Sequence, residues 1–362
     1  MTDAVHPTGK TLSVTRLIRR IQGHRQFASP QKALILQPCC LGRVMQTTPL
    51  LAALSQSFPT ARFDWAVSDW ARPAVSNNPR LTRILLTGAG DIEQNTPAEN
   101  RVLQERMRRE GYDTCFIPYW SDKLEELARR AGIPQRISLN TRGLDHEAIE
   151  RRLALSFLAM AGLVGVDQAV IQEAEMEFDP PDRDRTTVTR WLVEEYDWLG
   201  DTPLVILHPG GGDNPEEIDL NKRWPGERLA RLVNYLIKNH QARVVLVGTA
   251  EEHSLAAQIT GMVSFPVINR AGKIGLGELG ALCELAALYV GYDSGSTHIA
   301  AATGCPTLVI YGPTNPAIHG PHMVNGRVIT LWHPYDGEFS WQNGVTLDEA
   351  VEAAEALLAM PS

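Results

Sequence analysis

Long apolar runs and cysteine patterns are scarce in this chain of 362 residues, and these absences exclude several classes of protein. No segment approaches the ~18 consecutive apolar residues of a membrane-spanning helix. The N-terminus lacks the apolar core of a signal peptide, so we expect a cytoplasmic protein. The five cysteines, with Cys39 and Cys40 adjacent, do not suggest a disulfide framework. No CxxC or HxxxH spacing points to a metal site.

Acidic residues are missing between Ala4 and Phe63, although the whole chain has a net charge of -8. The overall negative charge argues against a nucleic-acid partner. Within the acid-free stretch, apolar residues recur at helical spacing among basic ones, at Val14, Leu17, Ile18 and Ile21. This pattern predicts a short basic amphipathic helix. Such a helix can dock on its own domain or contact the inner membrane surface peripherally, and the sequence leaves both open.

Short apolar runs alternate with longer amphipathic segments from residue 33 onwards. Five runs that read as strands precede the double proline at 180–181, and five more follow it. The alternation is typical of parallel sheets wrapped by helices. We therefore predict an α/β fold with two Rossmann-like, doubly wound domains. The predicted divisions are a basic N-terminal extension (1–32), a first domain (33–180), a second domain (190–345), and a C-terminal helix (346–362) that packs back towards the first domain.

The segments that follow the predicted strands show where a ligand would bind, because ligands of such sheets lie beyond the carboxyl ends of the strands. In the second half these segments are rich in glycine, hydroxyl groups and charge, as in HPGGGD, NRAGK and YDSGSTH. The corresponding segments of the first half are more aromatic and mixed. We therefore expect the second domain to bind a nucleotide or phosphate and the first to hold an acceptor.

The stretch DSGSTH, residues 293–298, separates a predicted strand from a predicted helix. Gly295 allows a sharp turn and the close approach of a ligand to the backbone. The residues after it fall in the first helical turn, whose N–H groups have no intrahelical partners and can bind phosphate. A simple helix cap needs one Ser or Thr, whereas this stretch also has Asp293, which can contact sugar hydroxyls.

Two further strand exits carry candidate ligand-binding residues. HPGGGDNPEEIDLNKRWP, residues 208–225, is neither a GxGxxG nor a GxxxxGK[ST] motif, which counts against dehydrogenases and P-loop ATPases. Its Lys222 can place a charge on a phosphate or remain solvated. In VGTAEE, residues 247–252, Glu251 or Glu252 can accept the hydroxyls of a ribose, or can stabilise a helix N-terminus.

Taken in order, the motifs HPGG, KxWP, VGxxxE, AGK, DSGSTHIAAATG and YGPT resemble those of glycosyltransferase family nine. The best-known members are the ADP-heptose:lipopolysaccharide heptosyltransferases. The resemblance extends from LILQPCCLGRVMQTTPLLAAL to YGPTNP. It implies a GT-B fold with the active site between two Rossmann-like domains. It also implies inverting transfer from a nucleotide-diphosphate sugar, ADP-heptose being expected, without a metal or another cofactor.

The resemblance also implies roles for individual residues. The region that matches DSGSTH binds the diphosphate and the donor sugar in that family. Lys222 matches a phosphate-contacting lysine, Glu252 a carboxylate near the ribose, and Ile274 the position where the backbone meets adenine. The candidate donor-binding residues are Gly210, Gly211, Lys222, Glu252, Ile274, Asp293, Ser294, Gly295, Ser296, Thr297 and His298.

One position departs from the family pattern. Family members usually carry a Gly-Asp pair in the first loop, where the aspartate is the catalytic base, but here Gly42 is followed by Arg43. Arginine cannot take a proton near neutral pH, although it can hold a phosphate or carboxylate. Asp69 and Asp122, at strand exits of the first domain, are the substitutes to test. Arg43, Asp69 and Asp122 are therefore the catalytic candidates.

We predict a glycosyltransferase that moves a sugar from a nucleotide-diphosphate donor to a lipid-linked or cell-envelope saccharide at the inner membrane surface. Two alternatives remain open. One is a pseudoenzyme that binds the donor but lacks the base. The other is a different nucleotide-sugar enzyme, such as an epimerase, which would convert the donor without any acceptor.

Overall fold

The computed structural model describes residues 27–90, 92–142, 144, 152–211, 219–324 and 326–360. The basic amphipathic helix predicted near the N-terminus lies outside these residues. None of the helices in the described ranges combines the length and the apolar character needed to cross a membrane.

The first half of the chain forms a five-stranded parallel sheet in the order β3-β2-β1-β4-β5. Its strands are β1 (Lys32–Leu36), β2 (Arg62–Val67), β3 (Arg83–Leu86), β4 (Thr114–Ile117) and β5 (Gln135–Ser138). The associated helices are α1 (Leu41–Ser57), α2 (Pro97–Glu110), α3 (Asp122–Arg130), α4 (Leu153–Leu163) and α5 (Gln168–Glu173), with 3-10 turns at Arg72–Ala74 and Ile92–Gln94. The central strands are almost continuously apolar because separate buried clusters cover the two faces of the sheet.

The second half forms a six-stranded parallel sheet in the order β11-β10-β9-β6-β7-β8. Its strands are β6 (Leu204–Leu207), β7 (Arg243–Leu246), β8 (Ile268–Asn269), β9 (Leu288–Gly291), β10 (Thr307–Ile310) and β11 (Val328–Leu331). The helices are α6 (Asp182–Tyr196), α7 (Gly226–His240), α8 (His253–Met262), α9 (Leu276–Leu285), α10 (Gly295–Ala302), α11 (Pro316–His319) and α12 (Leu347–Leu358), with a 3-10 turn at Leu220–Lys222. This is the strand order of a dinucleotide-binding Rossmann sheet.

The structure confirms the predicted α/β fold with two parallel sheets and adds two findings. Strand β11 was not predicted, and it forms an edge of the second sheet. The C-terminal helix α12 was expected to pack back towards the first domain, but it packs on the second sheet instead. Its apolar face, which includes Ala350, Ala354 and Leu357, lies in the buried cluster of the second sheet, so its contacts are with that sheet and with α7.

Helices α1 and α10 connect the two halves across the cleft. Ile299 and Ala301 of α10 are buried in the same apolar cluster as Val44 and Met45 of α1. These two helices follow β1 and β9, so their N-termini lie where ligands bind in sheets of this type. Packing between them therefore fixes the distance between the two strand exits.

Cys39 and Cys40, at the end of β1, are joined to each other by a disulfide, whereas the sequence analysis expected no disulfide framework. The bond closes a loop of two neighbouring residues, so it cross-links no distant parts of the chain. The other three cysteines, Cys115, Cys283 and Cys305, are free and buried.

Candidate functional site

A cavity of about 610 Å³ lies between the two sheets, at the carboxyl ends of their strands. The first half contributes Cys40, Leu41, Gly42, Arg43, Gln46, Trp70, Pro73 and Leu153 to its wall. His208 follows β6 and Asp293 follows β9, and the strand order of the second sheet reverses between these two strands. The cavity therefore occupies the switch point where doubly wound sheets bind nucleotides.

The first turn of α10 forms part of the cavity wall. Ser294 caps the helix, with its Oγ 3.4 Å from the amide nitrogen of Thr297. Gly295 packs under the side chain of Leu41 so closely that a Cβ atom would collide with it. The start of an α-helix attracts anions because its first N–H groups lack intrahelical partners. This wall is therefore suited to a phosphate group.

Lys222 and Asp293 form an ion pair at the cavity. The Nζ of Lys222 donates a hydrogen bond of 3.0 Å to Oδ2 of Asp293. Their side chains keep 24% and 11% of their accessible surface, so both remain within reach of a ligand. The 3-10 turn Leu220–Lys222, capped by Asp219, positions the lysine.

Three buried side chains form a hydrogen-bonded chain behind the helix terminus. The Oγ of Ser296 lies 2.6 Å from Nδ1 of His208, and Nε2 of the same ring lies 2.9 Å from Oε2 of Glu252. Ser296 and His208 line the cavity, whereas Glu252 lies behind them. The backbone N–H of Thr249 also donates to Glu252, at 2.9 Å. Gly210 is required at its position because a side chain there would overlap the carboxylate of Glu252.

His298 is a buried base at the junction of the two halves. It is 3% exposed, and its imidazole ring lies against Gly42 of the first half. Its Nδ1 has no hydrogen-bond partner among the described residues. Burial lowers the pKa of His298 to about 4, although the carboxylate of Asp293 opposes this effect. The ring is therefore neutral near pH 7.

Arg43 occupies the first-half side of the cavity at the start of α1. Its Cζ lies 5.5 Å from the centre of the Tyr119 ring, a cation–π contact. His319, at the end of α11, lines the same cavity. Burial lowers the pKa of His319; Asp293 opposes this, and the charges of Lys222 and Arg43 lower the pKa further.

The structure brings most of the predicted donor-binding residues to one wall. The cavity is lined by Gly210, Gly211, Lys222, Ile274, Asp293, Ser294, Gly295, Ser296 and His298, and by Arg43 from the other side. Thr297 does not line it, because its hydroxyl donates to the carbonyl oxygen of Tyr292 at 2.6 Å. Glu252 also lies off the wall, held by His208, and it is Glu251 that lines the cavity.

The two substitute catalytic acids lie elsewhere. Asp69 follows β2 as an exposed residue, and Asp122 is the exposed first residue of α3. Neither lines the cavity. Both stand at strand exits of the first sheet, but their side chains lie outside the cavity, even though Trp70, next to Asp69, lines it.

Sequence reasoning missed two histidines of the site. His208 belongs to the HPGGG stretch that was noted for its glycines, and its place directly after a strand was an available signal. His319 carried no signal, because it reaches the cavity only through the packing of α11 against the first half, where Gln46 donates to its carbonyl oxygen at 3.1 Å. Among the residues that the structure describes, no group of three His, Cys, Asp or Glu side chains could hold a metal ion.

Comparisons with known proteins agree with this architecture. Residues 135–340 match the model of glycosyltransferase family 9 (heptosyltransferase). The chain is 27% identical over 324 residues to lipopolysaccharide heptosyltransferase 2 of Escherichia coli, covering 83% of this chain and 88% of that protein. It is 28% identical, with the same coverage, to the enzyme of that name from Salmonella typhimurium.

Solved structures share the fold. A glycosyl transferase family 9 protein from Veillonella parvula superposes with a TM-score of 0.79 at 18% identity, covering 92% of this chain and 99% of that one. The ADP-heptose lipopolysaccharide heptosyltransferase II of E. coli superposes with a TM-score of 0.72 at 24% identity, covering 90% and 98%. Two packed Rossmann-like sheets around a central cleft, the GT-B arrangement, are common to all three.

Proposed function

The chain belongs to glycosyltransferase family 9, and we propose that it moves heptose from an ADP-linked donor to a saccharide of lipopolysaccharide or a related cell-envelope glycan. The observation that carries this proposal is the cavity at the switch point of the second sheet, where Lys222, Asp293 and the first turn of α10 converge. The acceptor of such a reaction is anchored in lipid. The proposal therefore places the enzyme at the inner membrane surface, which the acid-free basic stretch near the N-terminus supports.

The donor diphosphate would lie against the first turn of α10, with Lys222 supplying the positive charge. Asp293 would accept hydrogen bonds from hydroxyls of the donor sugar. The nucleoside would extend along the wall formed by the exits of β7 and β8, where Ile274 and Glu251 lie. Because Glu252 is already engaged by His208, we assign the ribose contact to Glu251.

A base is needed to take the proton from the attacking acceptor hydroxyl, and Arg43 cannot supply it. We assign this role to His298. Its neutral ring is buried beside Gly42, where the first loop enters the cavity, and its Nδ1 has no hydrogen-bond partner among the described residues. Attack from the first-half side on a donor held by the second half would displace the diphosphate from the opposite face, so we propose inversion at the anomeric carbon.

Arg43 would hold an anion instead of moving a proton. Its guanidinium lies at the cavity near Tyr119 and His319, opposite the proposed diphosphate site. A planar guanidinium binds phosphate or carboxylate in a bidentate manner. We propose that Arg43 contacts either the donor diphosphate or an acidic group of the acceptor.

We further propose that transfer needs no divalent metal, since Lys222 and the start of α10 already supply positive potential at the diphosphate. Calorimetric titration with ADP-heptose in the presence of a chelator tests the donor site, and transfer to a lipopolysaccharide-core acceptor tests catalysis. Binding that disappears in chelator would refute metal independence.

Three outcomes of these assays separate the alternatives. Transfer with inverted configuration supports the proposal. Binding of the donor without transfer to any core acceptor would identify a pseudoenzyme. Conversion of the donor in the absence of acceptor would identify an epimerase or a related enzyme.

A further inference from the structure

The chain Ser296–His208–Glu252 connects the cavity wall to a buried carboxylate. The three side chains are 9%, 3% and 4% exposed, and the two links measure 2.6 and 2.9 Å. The hydroxyl, the imidazole and the carboxylate are hydrogen-bonded in series. The position of the proton in one hydrogen bond therefore influences the direction of the other hydrogen bond. None of the roles assigned above uses the histidine.

The protonation state of His208 determines what Ser296 presents to the cavity. A neutral imidazole has one N–H group, and a neighbouring carboxylate can only accept it. Nε2–H then donates to Glu252, so Nδ1 must accept the hydroxyl proton of Ser296. In that state the serine oxygen faces the cavity with lone pairs alone, which repel an anion.

An imidazolium reverses the direction of the serine hydroxyl. With both nitrogens protonated, Nδ1–H donates to the Oγ of Ser296, and the hydroxyl proton is free to turn towards the cavity. The neighbouring hydroxyls permit this turn. Ser294 lies 2.9 Å from Ser296, where either can donate, and the phenol of Tyr289 donates to Ser296 at 3.2 Å. Burial raises the pKa of Tyr289, so the phenol keeps its proton.

The charged groups around His208 favour protonation of its imidazole at the same time as an anion binds in the cavity. Glu252, from the start of α8, stabilises an imidazolium, whereas the guanidinium of Arg223, 4.0 Å from that carboxylate, partly offsets this effect. Lys222 and Asp293 line the same cavity and largely balance each other. A bound diphosphate adds negative charge next to Ser296, so it stabilises the protonated form.

We propose that Ser296 donates its hydroxyl proton to a phosphate oxygen of the donor, and that His208 takes up one proton from solution when the donor binds. Ser296 is then a binding residue, and His208 and Glu252 are positioning residues that act through it. The inference rests on the proposed function, since it takes the donor to be a nucleotide-diphosphate sugar. It adds a consequence that this function alone does not require: donor affinity depends on pH through a group of the protein.

The probe for this proposal is ADP-glucose. Both of its phosphates are esterified, so it lacks the terminal phosphate whose second pKa of about 6 would itself titrate in ADP. Calorimetric titrations in two buffers of different ionisation enthalpy, repeated from about pH 6 to about pH 9, give the number of protons taken up per ADP-glucose bound. At pH values where about one proton is taken up per ADP-glucose bound, the affinity of the protein for ADP-glucose should fall about tenfold for each unit that the pH rises.

Variants test which side chain takes up the proton when ADP-glucose binds. His208→Gln should abolish the uptake, and Glu252→Gln should diminish it, because the imidazolium loses its counter-charge. Ser296→Ala should weaken ADP-glucose binding and remove its pH dependence. Tyr289→Phe is the matched control, because it deletes a different hydrogen bond to Ser296 and leaves the chain to Glu252 intact. This control should take up protons as the wild type does.

The outcomes separate this inference from the proposed function. ADP-glucose that binds wild-type protein without proton uptake at any pH overturns the inference and leaves the donor pocket intact. Uptake that persists in His208→Gln also overturns it. Failure of both ADP-glucose and ADP-heptose to bind would overturn both. The wild-type titration is decisive even if a buried variant does not fold.

Discussion

The ammonium of Lys222 lies 3.0 Å from the carboxylate of Asp293, although the two residues follow different strands of the second sheet. Each reduces the charge that the other presents to the cavity. A bound diphosphate would attract the lysine, and sugar hydroxyls would engage the aspartate. The pair therefore couples recognition of the phosphate to recognition of the sugar.

Lys222→Ala and Asp293→Ala should differ in how they change the affinities for ADP and for an ADP-sugar. Lys222→Ala should weaken both ADP and ADP-sugar by about one to two decades, roughly 1.5–3 kcal/mol, because it deletes a charge-assisted contact and exposes the ligand to Asp293. Asp293→Ala should weaken only the ADP-sugar, since ADP lacks the hydroxyls of the transferred sugar. Calorimetry measures both. Lys238→Ala, on the exposed face of α7, is the control. Unchanged affinities in both variants would show that the donor binds elsewhere.

His298→Gln should lower kcat about 10²- to 10⁴-fold while the affinity for ADP-sugar changes little, because a glutamine side chain cannot take the acceptor proton. Asp69→Asn and Asp122→Asn serve as matched controls, since both carboxylates lie outside the cavity. Steady-state transfer assays with the three variants decide the assignment. If kcat falls strongly in one of the aspartate variants while His298→Gln stays active, that aspartate is the base.

The low pKa of His298 also predicts how stability varies with pH. Its folded-state pKa of about 4 lies below the ordinary value of about 6.5, so between these values the unfolded chain binds more protons than the folded one. The free energy of unfolding should therefore fall as pH decreases from about 6.5 to about 4. His298→Gln should lose part of this slope, which urea titrations at several pH values would measure. His319 and His322, whose pKa values are also lowered by burial, contribute to the slope that remains, as do Glu349 and Glu355, whose pKa values are lowered as well.

Arg43→Ala should weaken the binding of donor or of an acidic acceptor, and the loss should shrink at high salt because the residue is only partly buried. Arg62→Ala, an exposed arginine at the start of β2, provides the surface control. If wild-type protein proves inactive with every acceptor, Arg43→Asp should restore some transfer by supplying a carboxylate. Variants that match the wild type in both binding and turnover would leave Arg43 without a role.

Gly295→Ala should weaken the packing of α10 against α1 by about 1–3 kcal/mol, because the new methyl group collides with Leu41. Donor affinity should fall with it. The double variant Gly295→Ala/Leu41→Ala should recover part of the loss, which a purely local effect on α10 would not allow. Gly261→Ala, in α8 with open space around it, is the control and should be neutral or stabilising. Thermal unfolding with and without ADP-sugar gives both quantities.

The strands and the main site could be predicted because their signals are local. Runs such as ALIL (33–36) and LVIL (204–207) are apolar throughout, since both of their faces are buried, and the polar residues after them mark the ligand edge. β11 lies at the edge of the sheet and is only half-buried, so VITL gave a weaker pattern. Which of Glu251 and Glu252 lines the cavity could not be predicted from the sequence. The answer depends on the hydrogen bond between Glu252 and His208, which lie 44 positions apart in the chain.

Long-range packing explains the remaining differences. The apolar face of α12 fits either sheet by composition, and only the assembled surface of the second sheet selects it. Asp69 and Asp122 follow strands, as active-site residues of this fold do, but neither lines the cavity, even though Trp70, the neighbour of Asp69, does. The partner surfaces that decide such cases are distant in sequence and leave no local pattern.

The position of α12 has a consequence for how the chain is divided. Because this last helix stays on the second sheet, the described chain passes from one half to the other only once, between α5 and α6. Each sheet is therefore built from a single uninterrupted stretch of sequence. A chain cut between Glu173 and Asp182 still contains both sheets whole, and the two fragments retain in α1 and α10 the surfaces through which they could reassemble into one molecule.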